Sequence, residues 1–246
     1  MSKPKFGETA KDSPVLRPFI SFYGGKWRAA RRYPPPKYGA IVEPFAGSAG
    51  YALRYPASRV TLVEADPVIA GVWRYLTSAT PEMVRALPVE VADTAHLTVS
   101  PEERALIGFW LNKGTAAPSR TPSAWMRQGT HDDSFWGPVI RERIASQVEA
   151  ITHWQIIEGD YASAPDIEAT WFIDPPYQTP AGRHYRYSAV DYAALAEWAR
   201  ARHGQVIVCE QEGADWLPFV PFGSLKANEG SRGHKVSIEV IWTNDA

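Results

Sequence analysis

With one cysteine among its 246 residues, Cys209, the chain cannot close an internal disulfide. That fits a reducing compartment. Cys-x-x-Cys is absent and the six histidines are scattered, so no metal site is expected. No apolar run approaches the roughly 18 residues that a membrane-spanning helix needs. Residues 1–14 are polar, with Lys3, Lys5 and Lys11 and no apolar core of the signal-peptide kind, and they read as a loose leader. A cytoplasmic protein without membrane contact is the expectation. Neither sign of charge dominates, since 26 basic residues face 27 acidic ones for a net charge of −1. An obligate wrapper of polyanions is thereby disfavoured, although a local basic groove is not.

What is present is ordinary globular material, 45% hydrophobic and 22% charged. The length suits one large domain or a domain with an insertion. Ten tryptophans are many for this length. Most are expected to fill the core, and some to offer faces on which bases can stack.

The stretch Phe172-Ile173-Asp174-Pro175-Pro176-Tyr177 organises the rest. Two apolar residues end a buried strand, and an acid, two prolines and an aromatic follow where the strand becomes a loop. Ligands of open α/β sheets bind just outside the carboxyl ends of strands. Prolines fix φ and lack an N–H, so their carbonyls are free to accept. Asp174 beside a fixed carbonyl makes a two-acceptor clamp for an amine, and Tyr177 supplies a flat face. Asp-Pro-Pro is also ordinary turn chemistry, so both readings stand on these residues alone.

Upstream, Phe22-Tyr23-Gly24-Gly25-Lys26 pairs glycines with a lysine that can meet an anion, without the spacing of a phosphate-binding P-loop. Residues 40–50 read as a strand that ends in a glycine turn, with Tyr51-Ala52-Leu53 continuing it as a helix. That arrangement brings backbone N–H groups to a nucleotide-type ligand. Val60-Thr61-Leu62-Val63 is a second strand. Glu64 stands where doubly wound folds bind ribose hydroxyls, and Asp66 suits the N-cap of a helix over 68–76 with Pro67 at its first position. Further strands are expected at 155–157, 205–209 and 235–242, with a helix capped by Asp191 running to about His203.

Over 77–154 the alternation of strands and helices breaks down. A helix is expected at 101–111 and helical character returns at 139–150. Between them Lys113, Arg120 and Arg127 alternate with Trp125, Phe135 and Trp136, diluted by Asp132 and Asp133. Such a stretch reads as a nucleic-acid surface or as a helical cap over the sheet.

Taken in order, Phe22 to Lys26, Val42-Glu43-Pro44-Phe45-Ala46-Gly47, Glu64 to Pro67, Gly159-Asp160-Tyr161 and Asp174 to Tyr177 resemble the Dam-like (D12 class) adenine-N6 DNA methyltransferases. The resemblance is nearly full length and lapses over 77–154, where that family carries its target-recognition insertion. It implies an α/β fold: a doubly wound, Rossmann-like methyltransferase sheet with a mostly helical insertion. The catalytic domain would comprise 15–76 and 155–246, behind the leader 1–14. It implies S-adenosylmethionine as methyl donor, no metal, double-stranded DNA with a flipped adenine as partner, and a monomer or weak dimer. Phe22, Tyr23 and Lys26 would hold the methionine end, Lys26 near its carboxylate. Glu43, Phe45, Ala46 and Gly47 would form the cofactor turn, Glu64 would bind the ribose, and Asp160 and Tyr161 the adenine. Asp174 and the Pro175 carbonyl would accept from the target amine, with Pro176 fixing the turn and Tyr177 stacking on the flipped base. Lys113, Arg120, Arg127, Arg183 and Arg186 would meet the DNA. RNA adenine, cytosine N4, a protein glutamine, or a relative that binds nucleic acid without chemistry are the alternatives. Removing Asp174 is expected to leave the fold intact, as a loop-end residue would.

Overall fold

The computed structural model describes residues 14–129, 133–226 and 236–244. Asp132, Lys235 and the three leader lysines lie outside them. Parallel strands buried on both faces are built from near-continuous apolar runs, and four stretches of the chain come close, with Thr61 and Thr170 as buried polar interruptions. They are β1 (Ala40–Glu43), β2 (Arg59–Glu64), β4 (Ala169–Ile173) and β5 (Gly204–Gln211). With the short β3 (Gln155–Glu158) they form the parallel part of one sheet. The antiparallel β7 (Val236–Thr243) pairs with β5, and β6 (Val220–Lys226) pairs with β7 beyond it. The order across the sheet is β3-β2-β1-β4-β5-β7-β6.

Side chains of a strand alternate between faces, and β4 and β5 sort accordingly. Trp171, Ile173, Val206 and Val208 join one apolar cluster with Leu195, Ala196 and Ala199 of α5 (Tyr192–Arg200). Phe172, Ile207 and Cys209 join the other, with Ile69, Val72, Trp73 and Leu76 of α1 (Pro67–Ser78). Helices therefore cover both faces of a mixed α/β sheet, as the sequence leads one to expect. Asp66 caps α1 by accepting the Val68 N–H at 2.9 Å, and Pro67 takes the first helical position.

The segment 77–154 holds α2 (Pro81–Arg85), α3 (Pro101–Phe109, opened by a Ser100–Glu103 capping box) and α4 (Pro138–Ala145). Their buried residues, among them Val84, Leu106, Phe109, Ile140 and Ile144, belong to the same cluster as Ile41, Leu62 and Phe172. The described residues of segment 77–154 thus extend the sheet's own core.

Two expectations are corrected and one strand was missed. Tyr51-Ala52-Leu53 does not open an α-helix; only a 3-10 turn forms at Ala52–Arg54, because Pro56 follows and bars Tyr55 from helical geometry. The helix from 139 to 150 breaks after Ala145 into a separate 3-10 turn at Val148–Ile151. Strand β6 was not foreseen, since Pro221 and Gly223 interrupt its pattern and mark a bulge in its pairing with β7.

The tryptophans mostly fill the core. Trp73 and Trp171 are fully buried, Trp110, Trp136 and Trp154 nearly so, and only Trp125 stands well out at 60% exposure. Buried indoles keep their N–H satisfied on backbone carbonyls, such as Trp73 on Gly47 and Trp110 on Phe19.

Candidate active site

Because β1, β2, β3 and β4 run parallel, their carboxyl ends lie along one edge of the sheet. Glu43, Glu64, Asp160 and Asp174 are all delivered there. A cavity of about 550 Å³ opens at this edge, on the side of β1 and β4, where the strand order reverses. Its walls include Phe22, Tyr23, Lys26, Glu43, Phe45, Ala46, Gly47, Glu64, Asp160, Tyr161 and Asp174. The residues assigned to a cofactor from the sequence are thus brought together.

The turn after β1 carries left-handed backbone at Gly47 (φ 45°) and at Ala49 (φ 49°), the only non-glycine residue so placed among those described. Gly50 lies so close to the Gly-Gly-Lys turn that a β-carbon would sit 2.5 Å from the Trp27 nitrogen. The two glycine turns are therefore packed against each other. The Gly47 N–H is already occupied, donating to Glu64 Oε2 at 2.9 Å, while Glu64 Oε1 accepts the Asp66 N–H at 2.9 Å. Burial raises the Glu64 carboxyl above its ordinary value, and those two N–H groups oppose the shift. Phe45 and Tyr161 lie 5.6 Å apart as a tilted ring pair, and Tyr161 rests edge-on against Trp198.

Glu43 is buried beneath this turn, accepting the Ala52 N–H at 2.6 Å. Burial pushes its carboxyl up to about 8, although that N–H pulls it down. A carboxyl with a higher pKa folded than unfolded binds its proton more tightly in the folded state, so stability rises as pH falls. The window runs from about 8 down to the ordinary 4.5. Urea unfolding of Glu43→Gln across that window is expected to show a flatter profile than wild type. Parallel profiles would mean that Glu43 carries no such shift.

Lys26 lines the cavity and meets a partner that the sequence did not name. Its ammonium is buried, 2.8 and 2.9 Å from the two Asp174 oxygens, and donates to the Gly24 carbonyl at 3.1 Å. Burial alone would lower its pKa, but Asp174 and then Glu239 outweigh that and hold it above the usual lysine range. For Asp174, burial raises the carboxyl to about 6, with Lys26 pulling it down and Glu239 pushing it up. Asp174 therefore already holds an amine, the protein's own.

Tyr177 is likewise turned to another task. Its ring does not line the cavity, its hydroxyl donates to Glu239 Oε2 at 2.7 Å, and the Lys26 ammonium lies 4.8 Å from its ring centre. Pro176 also accepts a hydrogen bond, from Tyr192 Oη at 2.8 Å. The aromatic wall beside Asp174 comes instead from Tyr185. It packs against Phe22 and Tyr23, and a β-carbon at Gly24 (φ +71°) would collide with its hydroxyl. Sequence reasoning missed Glu239 and Tyr185. Glu239 could have been noticed as an acid set inside the apolar run of β7.

Of the residues assigned to DNA, only Arg186 lines the cavity, with its guanidinium 5.6 Å from the Tyr187 ring; Arg183 is exposed on the preceding 3-10 turn. Arg120 is held by Asp93 through contacts of 2.7–2.9 Å, and Arg127 donates to the Pro122 carbonyl at 2.6 Å. Lys113 lies over the Trp110 and Phe135 rings. Among the described residues no cluster of three or more His, Cys, Asp and Glu could hold a metal ion, and no helix is long and apolar enough to cross a membrane. No protein-family model and no curated protein matches the chain.

Proposed function

We propose that the protein is an S-adenosylmethionine-dependent methyltransferase acting on the N6 amine of adenine in DNA. One observation carries this reading. The place where a doubly wound fold binds a pyrophosphate, the N–H at its first glycine turn, is filled by the Glu64 carboxylate. The cavity is also lined by Asp66, Asp160 and Asp191 against Arg186, its single unpaired cation among the described residues, while Asp174 is neutralised by Lys26 and Glu43 holds its proton up to about 8. Such walls repel a dinucleotide and favour a cationic ligand. The donor set fits S-adenosylmethionine, which supplies its methyl from a positively charged sulfonium.

Within this reading the Phe45–Tyr161 pair is suited to an adenine ring, and Glu64 can accept from ribose hydroxyls with lone pairs its two N–H donors leave open. Asp174 accepts a hydrogen bond from the target amine, whose lone pair is otherwise delocalised into the base. That aligns the nitrogen and stabilises the positive charge it gains as the methyl arrives. The target base must leave the duplex stack, at a cost of roughly a few kcal/mol. Lys26 must at the same time yield its hold on Asp174.

The test is a transfer assay with methyl-labelled S-adenosylmethionine on duplex DNA, RNA and protein in separate arms. Label is expected on adenine N6 of duplex DNA. Label only on RNA, on cytosine or on protein would replace the substrate assignment. No transfer with bound donor would favour the role of a binding protein without chemistry.

A further inference from the structure

Four cations gather beside the mouth of the cavity, and Asp133 is the one carboxylate among the described residues that acts on Lys113 and Arg143. Lys113 Nζ lies 4.9 Å from the Trp110 ring centre and 5.3 Å from that of Phe135, and the Arg143 guanidinium lies 4.9 Å from Trp110. Arg17 and Arg28 are exposed, Arg17 over Trp27 at 5.4 Å with its charge felt at Arg143, and Arg28 with its charge felt at Lys113. Among the described residues none of the four makes a salt bridge. Arg143 reaches only the Pro18 carbonyl, at 3.4 Å, and its Nε is buried with no partner. Burial lowers the Lys113 ammonium to about 8, with Arg143 and Arg28 lowering it further and Asp133 opposing them. Arg143 is depressed to about 10, by burial first and by Arg17 next, again opposed by Asp133.

In a chain of net charge −1, cations close enough to depress one another mark a place where an external anion relieves the repulsion. The patch is joined to the rim of the cavity. Two residues beyond Lys113, the Thr115 carbonyl accepts the Tyr23 N–H at 3.0 Å, and Ala116 and Tyr23 both line the cavity. We infer that Arg17, Arg28, Lys113 and Arg143 form the surface that grips the backbone phosphates of a nucleic acid. The inference rests on the reading above for the kind of polyanion. It moves the grip away from Arg120 and Arg127, whose guanidinium groups are engaged within the protein. Several fixed cations beside rigid aromatic rings suit a polymer of regularly spaced charges better than a single free phosphate.

The experiment is fluorescence anisotropy of a labelled duplex, titrated at several salt concentrations. It compares wild type with Arg28→Gln, with Lys113→Gln and with both changes. Each phosphate contact contributes about 0.9 to the slope of log affinity against log salt. Each single variant is expected to lower the slope by about one, and the double by about two. Arg200→Gln is the control; it removes the same charge from an exposed site on α5, across the sheet, and should leave the slope unchanged. Unchanged slopes in the patch variants would overturn the inference, as would an equal drop in the control. Capture by phosphatidylserine vesicles without duplex binding would also overturn it. Duplex binding through the patch with no methyl transfer would leave the inference standing and sink the proposed reaction. Transfer to DNA with unchanged slopes would do the reverse.

Discussion

Asp174→Asn is expected to cut methyl transfer to below about a hundredth of wild type. Loss of one oriented polar group at a reacting centre costs about 10²–10³ in rate, and the amide that replaces the carboxylate no longer offers two anionic acceptors. Asp174→Ala should be as inactive. Both variants should destabilise the protein because both remove the negative charge, alanine the more because it also removes the hydrogen-bond acceptor, against what the sequence suggests for a loop-end residue. Lys26 is only 6% exposed and Asp174 19%, so truncating the acid leaves a buried ammonium without its counter-charge. Breaking a buried pair in this way costs about 3–5 kcal/mol. Transfer kinetics and urea unfolding on both variants make the check. Activity above about a hundredth of wild type in the asparagine variant would remove Asp174 from the clamp. With its carboxyl raised to about 6, wild-type transfer should also fall as pH drops through that value, because the proton fills the acceptor.

Trp73→Ala should be the most destabilising change away from the clamp. Trp73 is fully buried in α1, packed against Phe19 at 5.9 Å and Trp154 at 6.0 Å, and its indole N–H donates to the Gly47 carbonyl at 2.9 Å. Truncating a buried aromatic to alanine costs about 3–5 kcal/mol through lost transfer energy and the cavity left behind. Trp73→Phe separates the two roles. It keeps most of the volume and leaves a carbonyl of the glycine turn unanswered, at about 1–3 kcal/mol. Denaturant unfolding gives the stabilities, and calorimetric titration with S-adenosylmethionine reads the turn. The phenylalanine variant should bind the donor more weakly than its small loss of stability explains. Unaltered donor affinity in that variant would show that the indole hydrogen bond does not hold the turn.

The parallel strands could be read from the sequence because strands buried on both faces are runs of Val, Ile and Leu, and their carboxyl-end acids follow at once. Glu43, Glu64 and Asp174 needed no more than that to be placed at one edge, whereas Asp160 follows the short, half-buried β3 and Gly159. Lys26 was harder. A lysine beside two glycines signals a meeting with an anion, but nothing local says that the anion is Asp174, 148 residues away. Tyr177 shows the same limit, since its neighbours suggest a stacking face while its orientation is set by Glu239 on a distant strand. The basic residues of the inserted segment looked alike in sequence. Asp93 near Arg120, and the rings beneath Lys113, give them different surroundings, and those partners are tertiary.

The last strand to enter the sheet sits in its interior, between β5 and β6, and from there Glu239 reaches Tyr177 and, across 206 residues of sequence, Tyr33. Contacts of such span form late, because the entropy of closing the intervening chain must be overcome before they contribute. Until β7 is seated, Asp174 can have its lysine but Tyr177 has no anchor. The orientation of Tyr177 beside the Lys26 ammonium is therefore tied to the last strand of the chain, 62 residues further on.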